Sequence, residues 1–115
     1  SMGSTAFVVF ALPRSVSAQP KCVIGGNLVG LLCGTLCSLF TIASDLLTLV
    51  LYAVAVGLSI FIMVIINTEH PPASGLALGV AIRGYSLKVA LTVITFSILL
   101  SIVHIIFKKQ IKDLV

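Results

Sequence analysis

Residues 46–66 run for 21 positions without one charged side chain. A helix of that length reaches about 31 Å at 1.5 Å per residue, enough to cross the roughly 30 Å hydrocarbon core of a bilayer. A soluble fold would have to cover such a helix with polar surface, and the chain has little to offer. Of its 115 residues 59% are hydrophobic and 9% charged, with a mean hydropathy of +1.27. A soluble domain carries roughly 25% charged residues. The chain is therefore expected to be an all-α, polytopic transmembrane helical bundle whose main partner is the lipid bilayer.

Residues 23–43 and 89–107 are also long enough to span. Two other apolar runs are not: residues 3–12, which stop at Pro13 and Arg14, and residues 76–82. The sequence thus predicts three full spans and two short re-entrant or broken half-helices. Residues 3–12 do not read as a signal peptide, because no basic region precedes them. Residues 14–21 are polar and belong at the headgroups or in a wet cavity, with Ser17 and Gln19 as hydrogen-bonding groups.

Within the first span, Gly26, Gly30, Gly34 and Ser38 recur every four positions. Such a stripe lets another helix approach closely, either inside one protomer or between copies in the homo-oligomer that so small a chain would need to enclose a pathway. Asn27 is the one amide in that span and serves either a neighbouring helix or a solute. Cys33 and Cys37, one turn apart, read as small packing residues, and no disulfide framework is expected. Asp45 is placed to cap the second span. Tyr52 and Tyr85 are candidate interfacial anchors. His104 reads as an interfacial histidine or a proton relay, followed by Lys108, Lys109 and Lys112 as headgroup anchors.

The net charge is +4. That excess suits headgroups or an anionic solute, whereas nucleic acid is not expected because no basic run interleaves with aromatics. If both short segments are re-entrant, Arg14, Lys21, Arg83 and Lys88 share one side and Lys108, Lys109 and Lys112 the other. That count is too even for the positive-inside rule to set an orientation.

The polar interruption before the second short run is Asn67-Thr68-Glu69-His70-Pro71-Pro72-Ala73-Ser74-Gly75. Two adjacent prolines remove two backbone donors and favour extended geometry before them. A helix starting at Ala73-Ser74-Gly75 would present unpaired N–H groups, which attract anions. Gly3-Ser4-Thr5-Ala6 opens the other short run in a similar way. The candidate substrate site is therefore Ser4, Thr5, Gln19, Asn27, His70, Pro71, Pro72, Ala73 and Ser74, with Glu69 and His70 setting pH dependence or coupling. The solute that fits is a small inorganic anion. No catalytic serine or cysteine arrangement, metal-ligand spacing or phosphate-binding glycine loop is present, so an enzyme, a metal and a cofactor are not expected.

The motif Thr68-Glu69-His70-Pro71-Pro72-Ala73 resembles that of the HPP family of small integral membrane proteins. Gly3-Ser4-Thr5-Ala6-Phe7-Val8-Val9-Phe10 is similar to that family's small-residue stretch, Ala18-Gln19-Pro20-Lys21 to its Ala-Gln-Pro-basic loop, and Val23-Ile24-Gly25-Gly26 to its glycine pair. Asn27 and Cys22 stand where the family often has His and Asn. The resemblance implies one HPP-type domain over residues 1–115, an N-terminally truncated fragment lacking a first spanning helix. It also implies nitrite as the solute, by way of plant members associated with nitrite transport. The membrane would then be a bacterial or archaeal plasma membrane, or the chloroplast envelope in a plant. The alternative is a structural or sensory membrane subunit that packs through its glycine stripe and transports nothing.

Overall fold

The structure, a computed structural model, describes residues 2–40 and 44–107. Its helices are α1 (Met2–Ala11), α2 (Pro20–Ser38), α3 (Asp45–Ile65), α4 (Pro72–Arg83) and α5 (Leu87–Phe107), with a single 3-10 turn at Val16–Ala18. No strand occurs among the described residues. Helices α2, α3 and α5, of 19, 21 and 21 residues, are long and apolar enough to cross a membrane. At 10 and 12 residues, α1 and α4 are not. The expected bundle of three long and two short helices is what forms. The expected end of the first span, at residues 41–43, and the anchors Lys108, Lys109 and Lys112 lie outside the described residues.

Local chemistry sets the helix ends. Pro20 takes the first position of α2, where an absent N–H loses no hydrogen bond. Asp45 does not cap α3: Ser44 holds the cap position in extended geometry, and Asp45 lies in the first turn, facing the positive end of the helix dipole. At the far end of α3, Asn67 adopts a left-handed φ of 57°. Thr68 N–H then bonds Met63 O at 2.9 Å and Asn67 N–H bonds Val64 O at 3.4 Å. This paired closure satisfies carbonyls that would otherwise be stranded where the helix breaks. Gly84, at φ 85°, turns the chain from α4 into α5.

Helix α2 is the inner member, packed against α3, α4 and α5. It is also the least apolar span, with a mean hydropathy of 1.4 against 2.6 for α3 and 2.5 for α5. The order is physically sensible. A helix shielded by its neighbours can carry glycines and an amide, whereas α3 turns leucines such as Leu46, Leu49 and Leu58 outward, as lipid requires.

The glycine stripe of α2 faces α4 in the same protomer. A Cβ at Gly26 would stand 2.6 Å from His70 Cβ, and one at Gly34 2.6 Å from the Ala77 carbonyl oxygen. One at Gly30 would run into the Ala73 carbonyl. Helix backbones therefore touch here as they do at small-residue crossings in membranes. The stripe is covered, so it is not the outward contact considered for an oligomer or for a subunit without transport. Cys33 packs with Val29, Met63, Ala73 and Ala77, and Cys37 with Ala55 and Ala81, as small packing residues should.

These contacts also fix directions. Gly26, Gly30 and Gly34 meet His70, Ala73 and Ala77 in the same order, so α4 runs parallel to α2. Helix α5 runs the other way, with Val93 beside Leu31, Leu100 beside Val23 and His104 beside Pro13. Helix α4 is thus a broken helix that carries the chain onward, and it does not return to the end it left. As a result Arg14 and Lys21 lie at one end of the bundle and Arg83 and Lys88 at the other. This overturns the expectation that the four share a side. The reason is that residues 66–71 enter alongside α2 and let twelve helical residues complete the descent.

Gly30→Leu should lower the stability of the detergent-solubilised protein by about 1–3 kcal/mol or more, as overpacking does. Gly57→Ala should not, because a Cβ there meets nothing within 4 Å. Thermal unfolding of the two variants checks this; equal midpoints would mean that the α2–α4 contact is not close.

Candidate functional site

The two interruptions in the chain meet. His70 stands beside Gly26, six residues and about 9 Å along α2 from its start. Its side chain is fully buried. Nδ1 lies 2.9 Å from the Ser17 carbonyl oxygen and Nε2 lies 3.0 Å from Thr5 Oγ1. A carbonyl can only accept, so Nδ1 carries the proton. In the neutral ring Nε2 then accepts from the Thr5 hydroxyl. One imidazole thereby ties the α3–α4 break to both α1 and the turn that follows it.

The N–H groups expected to receive an anion at the start of α4 are already used. Pro71 and Pro72 have none, Ala73 N–H bonds His70 O at 2.9 Å, and Ser74 N–H bonds Pro71 O at 3.1 Å. Ser74 Oγ also donates to Pro71 O at 2.8 Å. The residues singled out in the sequence therefore separate into groups. Thr5 and His70 are in contact, with Ala73 buried close by against Gly30. Ser4, Glu69 and Pro71 are exposed, and Pro72 and Ser74 are partly buried. Asn27 lies elsewhere, on the face of α2 that meets α5. Gln19 lies at the end of the bundle.

That α2–α5 seam holds polar groups that sequence reasoning missed. Asn27 Nδ2 donates to Ser97 Oγ at 3.0 Å, a bond worth about 0.6–2 kcal/mol within a membrane. Ser97, Ser101 and His104 follow at intervals of four and three residues on one face of α5, and all three are buried. His104 is only 1% exposed, so its ring is packed inside the bundle and is not turned outward to headgroups. Its Nε2 lies 2.6 Å from the Pro13 carbonyl oxygen and must be the donor. Asn27 Oδ1, Ser101 Oγ and His104 Nδ1 are buried and have no hydrogen-bond partner among the described residues. Each such group costs about 1–3 kcal/mol. The helical spacing of Ser97, Ser101 and His104 was the available signal.

Three cavities open near the ends. Gln19, Lys21 and His104 line one of about 420 Å³. At the opposite end Lys88, Met2 and Thr92 line one of about 500 Å³, and Arg83, Gly75 and Gly79 one of about 280 Å³. Among the described residues each is lined by one lysine or arginine and by no acidic side chain.

A family profile described as the HPP transmembrane region matches residues 1–113. The chain belongs to the HPP transmembrane family. A transmembrane protein of Dictyostelium discoideum is 32% identical over 78 residues, which is 68% of this chain and 27% of that protein. The HPP chain thus spans about a quarter of the length of the curated relative that it matches. No solved structure matches it. In this HPP chain, the motif's histidine is a buried tie between two helix breaks.

The His70 contacts predict an effect on stability. His70→Ala removes both ring hydrogen bonds and leaves the partly buried Ser17 carbonyl without its donor, so the unfolding free energy of the detergent-solubilised protein should fall by about 1–3 kcal/mol. An unfolding midpoint equal to that of the wild type would show that the ring does not tie the two breaks together.

Proposed function

We propose that this protein carries a small inorganic anion across the membrane, with nitrite as the first solute to test. The observation that carries this reading is electrostatic. The cavities at the two ends are lined by Lys21, Arg83 and Lys88 and by no acid among the described residues; Glu69 lies near Cys22, beside Lys21, but lines none of them. Asp45 and Glu69, the acids among the described residues, are both exposed. A cation entering the bundle would meet hydroxyls, an amide and imidazoles, with no buried carboxylate to offset the loss of its hydration. An anion meets a basic side chain at either mouth.

The role of the His-Pro-Pro segment changes in this reading. His70, Pro71, Pro72 and Ala73 hold the two interruptions together, while Gln19 and Lys21 meet the solute at the mouth. Glu69, exposed and without an ion pair among the described residues, is the carboxylate assigned to coupling in this reading. The protein acts as a transporter or channel and not as an enzyme. It works as a homo-oligomer through surfaces other than the α2 stripe. A structural or sensory subunit is the weaker reading, because the stripe it would use is covered by α4.

The test is nitrite uptake into proteoliposomes made with the full-length protein, with and without a pH gradient. Saturable uptake is expected. Lys21→Gln should lower it by a few-fold, since one nearby charge is worth about 1 kcal/mol in a solvated mouth. Should nitrite, nitrate and formate all fail to enter under either gradient, the anion reading is wrong.

A further inference from the structure

The seam between α2 and α5 does not fit simple packing. Asn27 Oδ1, Ser101 Oγ and His104 Nδ1 are enclosed and unpaired, yet all stand on facing helix surfaces. Their order along the seam follows from the contacts: Asn27 meets Ser97, Ser101 is one turn further along α5, and His104 nearly one turn beyond. The seven residues from Ser97 to His104 cover about 10 Å of helix. At the inner end, Asn27 and Ser97 border a partly open space of about 30 Å³ whose accessible walls are apolar, larger than the roughly 10–15 Å³ that one water molecule needs. At the outer end, His104 borders the 420 Å³ cavity with Gln19 and Lys21.

The chemistry of the unpaired atoms selects the ligand. With Nε2–H given to Pro13, the neutral His104 ring offers a lone pair at Nδ1, and Asn27 Oδ1 likewise only accepts. Whatever occupies the seam must donate hydrogen bonds at both ends and exchange them with a hydroxyl between. A bare anion cannot do this. Water can, and so can hydronium.

We propose that the α2–α5 seam binds a file of water molecules from Asn27 to His104, and that His104 exchanges protons between this file and the outer cavity. A hydronium in the file gives its proton to Nδ1, leaving water and an imidazolium whose Nε2–H stays on Pro13. The same Nδ1 returns the proton to water in the cavity. Lys21, from α2, is the charged group lining that cavity. From the α1 side, Arg14 follows Pro13 and is exposed. Among the described residues no carboxylate lines the seam or the cavity, so the imidazole is the group placed to hold the proton. This inference shares the Gln19–Lys21 cavity with the anion reading but does not rest on it, and it is tested without nitrite.

The full-length protein is reconstituted with a pH-sensitive dye inside the vesicles, potassium and valinomycin balance the charge, and no nitrite is added. Proton entry above that of protein-free vesicles is expected. Ser101→Ala and His104→Ala should each reduce it by about tenfold or more. Ser59→Ala, whose hydroxyl bonds its own helix at Val56 O, should leave it unchanged. Ser101→Ala removes only an unpaired oxygen, so it should fold even where His104→Ala does not, and its result decides. Proton entry equal to that of empty vesicles, or undiminished in Ser101→Ala, overturns the proposal.

Discussion

A helix that breaks inside a bilayer exposes N–H and C=O groups where no bulk water can take them, and every other feature of this fold answers to that constraint. The chain breaks between α1 and α2 and again between α3 and α4, and it places the two breaks against one another. The Ser17 carbonyl accepts a hydrogen bond from His70 Nδ1–H, the Met63 and Val64 carbonyls accept from the amides of Thr68 and Asn67, and the Ala73 and Ser74 amides close back onto His70 and Pro71. Two prolines reduce the number of donors needing partners. The apparent weakness in the chain is a hydrogen-bonded joint.

The joint can form only because α2 is thin on one side. Thr68, His70, Ala73 and Ala77 all arrive where Gly25, Gly26, Gly30 and Gly34 leave room. An alanine at any of Gly26, Gly30 or Gly34 would place a Cβ within 3 Å of an atom of that segment, and the backbone of α4 cannot yield as a flexible side chain could. The least apolar of the three spans is therefore the central one. It combines the glycines that admit α4 with the amide that reaches α5.

Much of this was legible in the sequence. Uncharged runs of about 20 residues mark the spans, and the two short runs mark α1 and α4, because length alone decides what can cross. The glycine spacing signalled a close helix contact, but spacing carries no address, so only the structure placed α4 against it. The direction of α4 was misjudged because an apolar run too short to span was taken as re-entrant, whereas Asn67 turns residues 66–71 into the bundle so that α4 completes a crossing. At the site, the histidine and its flanking prolines stood out by composition. Their partners did not, since Ser17 contributes a backbone carbonyl that any residue could supply. Ser97 and Ser101 were passed over as ordinary small residues in an apolar helix. Only their shared face with His104 distinguishes them.

The two histidines show why identity alone does not assign a role. Both are buried, and both give one ring N–H to a backbone carbonyl next to a proline-containing turn, His70 to Ser17 and His104 to Pro13. At His70 the second nitrogen is taken by Thr5, so the ring is satisfied on both edges and serves as a tie between helices. At His104 the second nitrogen is unpaired and the ring borders a cavity. Proton exchange there disturbs no tie between helices. Chemistry that changes with each cycle belongs at the second site, and the geometry that must not change belongs at the first.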